Sequence, residues 1–238
     1  MKYIWMLLLL FSLVANLAGA WLVKYLYAAE NAVRLDPLQL SVYPEAPAKN
    51  PTLKRVVFFG DSRALSWLAP ALQGVEFVNR GIGDQSSEQI RLRYAAHIEP
   101  LKADWLILQL GVNDLKTIPL FPEQHNLIVE RLKNNIRSIV EQAQADGSRV
   151  ILTTIFPIGK VPLERRLVWS NEVAPAIREV NEFILSLASE QVIIFDAFAV
   201  LQSQQRDLIQ ANYSRDLLHL NAAGYEALNQ ALLKQLQP

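Results

Sequence analysis

The sequence contains no cysteine, which excludes disulfides, thiolate metal sites and a cysteine nucleophile. It has three histidines, His97, His125 and His219, too few to build a multi-histidine metal site; no metal and no cofactor are expected. It lacks a dominant charge. The 23 basic and 23 acidic residues give a formal net charge of +0, and no basic block is present, so the electrostatic footprint of a nucleic-acid binder is missing. No internal repeat stands out. Apolar residues, in contrast, are plentiful: 51% of the 238 residues are hydrophobic, well above the disordered range. Setting aside an apolar N-terminal segment leaves roughly 185–210 residues, the size of one domain able to bury a core without staples.

That N-terminal segment is free of charge from Tyr3 to Val23, between Lys2 and Lys24. A helix of about 20 residues crosses a bilayer core of about 30 Å, so the run can span. It reads as an uncleaved anchor, because apolar residues continue past Ala18-Gly19-Ala20 through Trp21, Leu22 and Val23. A cleaved signal peptide, for which those small residues would form the cleavage site, is the alternative. Either export reading places the remaining domain outside the cytoplasm. Four of the twelve prolines (Pro37, Pro44, Pro47, Pro51) then mark a tether, expected to be extended because proline blocks helix continuation and ladder bonding. The expected division is 1–26 anchor or signal, 27–53 linker and 54–238 catalytic domain.

From Arg55 onward short apolar runs alternate with helical patterns. Val56–Phe59, Val75–Val78, Trp105–Leu110, Val150–Ile155 and Val192–Phe195 read as strands. Helices are predicted over Ala64–Leu72, Ser87–Ile98, Glu123–Ala145, Pro175–Ser189 and Ala222–Leu236. This alternation implies an α/β fold: a five-stranded parallel sheet covered by helices on both faces. Ligands of such sheets bind beyond the carboxyl ends of the strands, so the residues just after each strand matter most.

After the first strand stands Gly60-Asp61-Ser62-Arg63. A serine at a sharp strand-to-helix turn can project its hydroxyl free of the sheet; equally, Ser62 could only cap the helix. After the second comes Asn79-Arg80-Gly81-Ile82-Gly83-Asp84, whose glycines allow a tight turn and close backbone approach, with Asp84 a candidate helix cap. After the third comes Gly111-Val112-Asn113-Asp114. The Asn113 amide there is either an oxyanion donor or part of an ordinary turn. Near the C-terminus comes Asp216-Leu217-Leu218-His219, where an acid can meet a histidine across one tight turn and hold its tautomer. His97 and His125 follow no strand and are expected at the surface.

These four segments, in this order over about residues 55–235, resemble the SGNH hydrolase superfamily, also called the GDSL esterase/lipase family. The resemblance implies a three-layer α/β/α sandwich of flavodoxin-like type, with Ser62 as nucleophile, Asp216 and His219 as acid and base, and Asn113 as oxyanion donor. Two positions depart from the family pattern. Arg63 stands where leucine is usual, and it is expected either to face substrate or to make a surface ion pair. The second oxyanion N–H falls on Gly83 or Asp84, since gapless matching from Asn79 puts aspartate where the family has glycine. The Asp84 carboxylate should turn away from the site. Asp196 is the one competing acid. The activity implied is hydrolysis of carboxylic esters, O-acetyl or other acyl esters of envelope carbohydrate or lipid, with Trp169 and Arg63 as candidate substrate contacts. An O-acyltransferase using the same residues and a catalytically silent envelope binding protein are the alternatives. The expected partners are an ester substrate and, through the N-terminal segment, a membrane.

Overall fold

The computed structural model describes residues 1–204 and 207–236; positions 205–206 and the last two of the predicted catalytic domain lie outside them. The chain divides into two compact units, 1–41 and 42–238. In the first, helix α1 (Lys2–Leu35) has no buried residue, and its most apolar 18-residue window has mean hydropathy 2.2. By length and composition α1 can cross a membrane. It runs on into the expected linker because nothing in 27–35 breaks a helix: the first proline is Pro37, and Glu30 and Arg34 pair at i,i+4.

The second unit holds five parallel strands: β1 (Lys54–Gly60), β2 (Val75–Gly81), β3 (Trp105–Gln109), β4 (Arg149–Thr153) and β5 (Val192–Phe195). Their spatial order is β2-β1-β3-β4-β5, the flavodoxin-like order. Side chains alternate across the sheet. Val57 and Phe59 of β1 join Leu106, Leu108, Val150 and Leu152 on one face, against helices α6 (His125–Ala145) and α7 (Val173–Ser186). Val56 and Phe58 join Ile107, Ile151 and Phe195 on the other, against α8 (Ala197–Leu201) and α9 (Ala222–Leu236). Strand one and strand three register as Phe59↔Leu108 and Gly60↔Gln109. Their carboxyl ends flank the switch point, where chain connections diverge to opposite sides and a crevice opens.

Several elements differ from the sequence expectation. Helix α2 covers only Ser62–Leu65, not Ala64–Leu72. Pro70 disfavours helix before it, and Trp67 turns into the core, its indole N–H donating to Asn229 Oδ1 at 2.8 Å. The predicted Ser87–Ile98 helix is two, α3 (Ser87–Leu92) and α4 (Tyr94–His97). Arg93 sits at the break, fully buried, its guanidinium donating to the carbonyls of Gly60 and Arg80. Between β3 and α6 lie only the short α5 (Val112–Leu115) and 3₁₀ turns. His97, expected at the surface, is buried: it packs edge-on against Tyr43 and its Nδ1 faces Arg93 Nη1 at 3.2 Å.

The proline-containing stretch 42–50 is not a free tether either. Tyr43 donates its hydroxyl to the Gly81 carbonyl, Arg80 donates to the Glu45 carbonyl, and buried Arg55 donates to the carbonyls of Pro47 and Ala48. Prolines leave carbonyls unpaired by any regular ladder, and these arginines satisfy them.

Candidate active site

At the end of β1 the chain must turn sharply beside β3. Gly60 has φ +151°, and a Cβ there would stand 1.7 Å from the Gln109 carbonyl oxygen; no other residue fits. Asp61 follows as the N-cap of α2, its Oδ1 accepting the Arg63 N–H at 2.8 Å. Capping is thus done by Asp61, and Ser62 is the first residue of the helix with its hydroxyl free for another partner. That partner is His219: Oγ to Nε2 is 2.9 Å across 157 residues of sequence.

The turn 215–219 presents the imidazole. It is closed by the Arg215 N–H donating to the His219 carbonyl. Asp216 Oδ1 accepts the N–H groups of Leu218 and His219, each at 2.8 Å, and both carboxylate oxygens lie 3.0 Å from His219 Nδ1. Partial burial alone would push the Asp216 carboxyl up. The Leu218 and His219 N–H groups, with the His219 ring, outweigh it and hold the pKa down at about 2. A hydroxyl, an imidazole and an ionised carboxylate therefore stand in one hydrogen-bonded line. Such a line can take a proton from the hydroxyl and stabilise the resulting cation. Asp196, the competing acid, is elsewhere engaged: its Oδ1 accepts from Thr154 and caps α8 at Ala199.

The loops after β2 and β3 complete the site. A Cβ built on Gly83 would stand 4.0 Å from that of Ser62, so the Gly83–Asp84 turn borders the hydroxyl. Asp84 has φ +59°, the left-handed conformation in which glycine carries no penalty. Its side chain faces solvent and approaches Lys116 Nζ at 3.6 Å. It turns away as expected but caps no helix; Ser86 is the N-cap of α3, with Gln89 accepting the Ser86 N–H. Asn113 is buried and donates one of its two amide hydrogens to the Gln85 carbonyl at 3.0 Å. Next to it, Asp114 accepts from the Ser87 N–H and hydroxyl. The β3 loop is thereby stitched to the β2 loop.

The structure corrects the expectation for Arg63. It neither faces substrate nor forms a surface ion pair; it is fully buried, donating to the carbonyls of Leu218, Phe156 and Pro157. The side chain after Ser62 points into the domain, because the turn directs the Ser62 hydroxyl toward His219. Trp169 does line a cleft of about 440 Å³ beside His219, with Lys116, Thr117, Leu120, Arg165 and Val168. Lys116 and Asp61 were missed from sequence. Asp61 could have been found as a cap one residue before a helix; Lys116 carried no signal.

Residues 50–227 match the GDSL-like Lipase/Acylhydrolase family. The chain belongs to that family. It is accordingly a serine ester hydrolase. The GDSL-like chain is similar to an acetylxylan esterase of Geobacillus stearothermophilus, 24% identical over 170 residues, covering 68% of this chain and 73% of the relative. It is also similar to an uncharacterized lipoprotein, YqeF, of Bacillus subtilis (strain 168), 29% identical over 43% of this chain and 49% of that one. Among solved structures, a GDSL-like lipase from Bacteroides thetaiotaomicron superposes with TM-score 0.69 at 19% identity, covering 84% of this chain and 98% of that one. The acetylxylan esterase structure from G. stearothermophilus superposes with TM-score 0.62 at 18% identity, covering 78% and 94%. These superpositions establish the three-layer α/β/α fold.

Proposed function

We propose that the protein cleaves carboxylic esters, O-acetyl or other acyl esters of envelope carbohydrate or lipid, through Ser62, His219 and Asp216 and an acyl-enzyme. The observation that carries this reading is the unbroken contact from Ser62 Oγ to His219 Nε2 at 2.9 Å and from Nδ1 to the Asp216 carboxylate at 3.0 Å. In this mechanism His219 takes the hydroxyl proton at Nε2 while Oγ attacks the ester carbonyl carbon. Asp216, ionised throughout the neutral range, accepts the Nδ1–H and stabilises the imidazolium. The carbonyl oxygen becomes an oxyanion, received by the backbone N–H groups of Ser62 and the Gly83–Asp84 turn and by the remaining Asn113 amide hydrogen. The tetrahedral intermediate collapses, and the alcohol leaves with the proton from His219. Water, deprotonated by the same nitrogen, then releases the acid.

The cleft beside His219 supports a substrate with both polar and apolar parts. Lys116 and Arg165 supply charge, and Leu120, Val168 and Trp169 an apolar wall. The acetylxylan esterase relative favours an acetylated carbohydrate. Helix α1 supports a membrane anchor with the catalytic domain outside the cytoplasm, where envelope glycans and lipids lie, and the lipoprotein relative is in keeping with that location.

The test is an ester panel, from aryl acetate through longer acyl chains to acetylated oligosaccharides. Wild type should turn over a short-chain ester and be labelled by a serine-directed phosphonate. Ser62→Ala should lose both. Asn113→Ala should remain folded with kcat lower by about 10²–10³, the cost of one oxyanion donor. Turnover by folded Ser62→Ala would overturn the mechanism, and near-normal kcat in Asn113→Ala would remove that residue from it.

A further inference from the structure

The turn that carries the imidazole is a surface feature. Arg215 and Asp216 are exposed, and the turn belongs to no helix or strand. Yet Ser62 and His219 must stay within hydrogen-bond distance, and misplacement by about 1 Å can cost roughly 10²-fold in rate. Two bonds hold the outer carbonyls of this turn to the rest of the domain. The Gly159 N–H donates to the Leu217 carbonyl at 2.7 Å, and Arg63 Nε donates to the Leu218 carbonyl at 2.8 Å.

Arg63 is an expensive way to make that contact. It has 0% exposure, and no carboxylate stands within ion-pair distance of it among the described residues. A buried cation hydrogen-bonded only to neutral carbonyls, with Asp61 and Asp216 favouring its charge only from beyond ion-pair distance, is disfavoured against an apolar side chain of similar volume. What the guanidinium offers instead is a rigid planar fork. Nη1 reaches the Phe156 carbonyl at 3.3 Å and Nη2 the Pro157 carbonyl at 3.5 Å, while Cζ lies 5.2 Å over the Phe156 ring. Its backbone is equally tied. The N–H donates to Asp61 Oδ1, and the carbonyl accepts the Tyr225 hydroxyl at 3.0 Å. Residue 63 therefore joins the Ser62 turn, the loop after β4, the His219 turn and α9.

We propose that Arg63 is a positioning residue for ester hydrolysis: its guanidinium braces the Leu218 carbonyl from inside and so fixes the His219 ring against the Ser62 hydroxyl. This inference rests on the reading of Ser62 and His219 as nucleophile and base. A brace of this kind acts chiefly on proton transfer: Arg63 itself does not line the substrate cleft, although Leu218 and His219, whose turn it holds, do. Its loss should lower kcat and spare KM.

The experiment compares full-length wild type, Arg63→Lys and Arg63→Leu on one short-chain ester, with circular dichroism confirming folding at the assay temperature. Lysine keeps the charge but can reach the carbonyls only as a point donor; leucine makes none of the bonds. The expected order of kcat is wild type, then Lys, then Leu, with the Leu variant down roughly 10- to 100-fold and KM within about threefold. Phosphonate labelling of Ser62 should slow in the same order, because labelling needs the same proton transfer. If the leucine variant does not fold, the lysine variant decides alone. A folded variant with kcat within about twofold of wild type, or a loss confined to KM, overturns the proposal. Ser62→Ala separates the two levels: if it retains turnover, the nucleophile reading fails whatever Arg63 shows. If Ser62 is essential while the Arg63 variants are normal, only the brace is wrong.

Discussion

Ser62 and Asp61 are both residues that cap helices well, and the structure gives the cap to Asp61 and the hydroxyl of Ser62 to His219. The capping carboxylate carries a penalty. Asp61 is fully buried, and its Oδ2 has no hydrogen-bond partner among the described residues. Burial pushes its carboxyl up to about 6, against the pull of Arg63. Asp114, buried against Ser87, is raised to about 6 for the same first reason. A folded-state value above that of the unfolded chain means the folded state holds its protons more tightly. The associated stability is fully present below the unfolded value, near 3.8, and is lost as pH rises through about 6. Asp216 has the opposite sign: its stability is present above about 3.8 and lost as pH falls toward 2. Asp61→Asn should keep the cap through its amide oxygen and remove one of the two losses. Urea unfolding at pH 4, 5, 6 and 7 should show the variant gaining on wild type from about pH 4 to about pH 6 and then holding a constant difference. A difference independent of pH across that window would show that Asp61 does not titrate there.

At the scale of elements, the segment ahead of β1 belongs to the domain. Arg55 is 1% exposed. Besides the two carbonyls of the 42–50 stretch, it donates to the Leu101 carbonyl and pairs with Glu76 at 2.8 Å. Removing it strands three carbonyls and a carboxylate together, and hydrogen bonds to charged groups are worth about 1.5–3 kcal/mol each. Arg55→Met should therefore lower stability by at least about 2 kcal/mol and release the stretch from the sheet edge. Lys49, which in the native chain donates to the Lys102 carbonyl and pairs with Asp104, then becomes a tryptic site. Faster cleavage after Lys49 with a lower unfolding midpoint is the expected result. Unchanged cleavage would mean that Tyr43 and Arg80 suffice to hold the segment. The prolines suggested a tether because they rule out regular structure; they say nothing about whether irregular backbone is docked. The same limit explains the two helix boundaries that moved. Pro70 was visible as a breaker, but the inward turn of Trp67 and Arg93 depends on partners, Asn229 and the Gly60 carbonyl, that are far off in sequence.

For the molecule as a whole, α1 and the catalytic domain make separate demands. A helix of 34 residues with no buried side chain is stable in water only with its apolar surface covered. On the anchor reading proposed above, a bilayer would cover it directly. Produced in a bacterial host, the full chain should sediment with membranes, resist alkaline extraction and keep its whole length on a gel. A soluble product shorter by about 20 residues would instead identify a cleaved signal.

The sequence by itself determined the α/β class, the five strands, the apolar N-terminal helix and the segments that carry the candidate residues Ser62, Asn113, Asp216 and His219, because these rest on local patterns: alternation, glycine turns, and an acid three residues before a histidine. Asp216 and His219 could be paired from spacing alone, since one turn brings them together. Tertiary structure decided the rest. It set the strand order that puts the ends of β1 and β3 side by side, the 2.9 Å between residues 62 and 219, and the burial of Arg63, Arg93 and His97. The physical reason is the same in each case. A charged side chain is buried or exposed according to which carbonyls and rings surround it once the chain is packed, and no local pattern encodes neighbours that are 33 residues away for Arg93 or 93 and 155 residues away for Arg63.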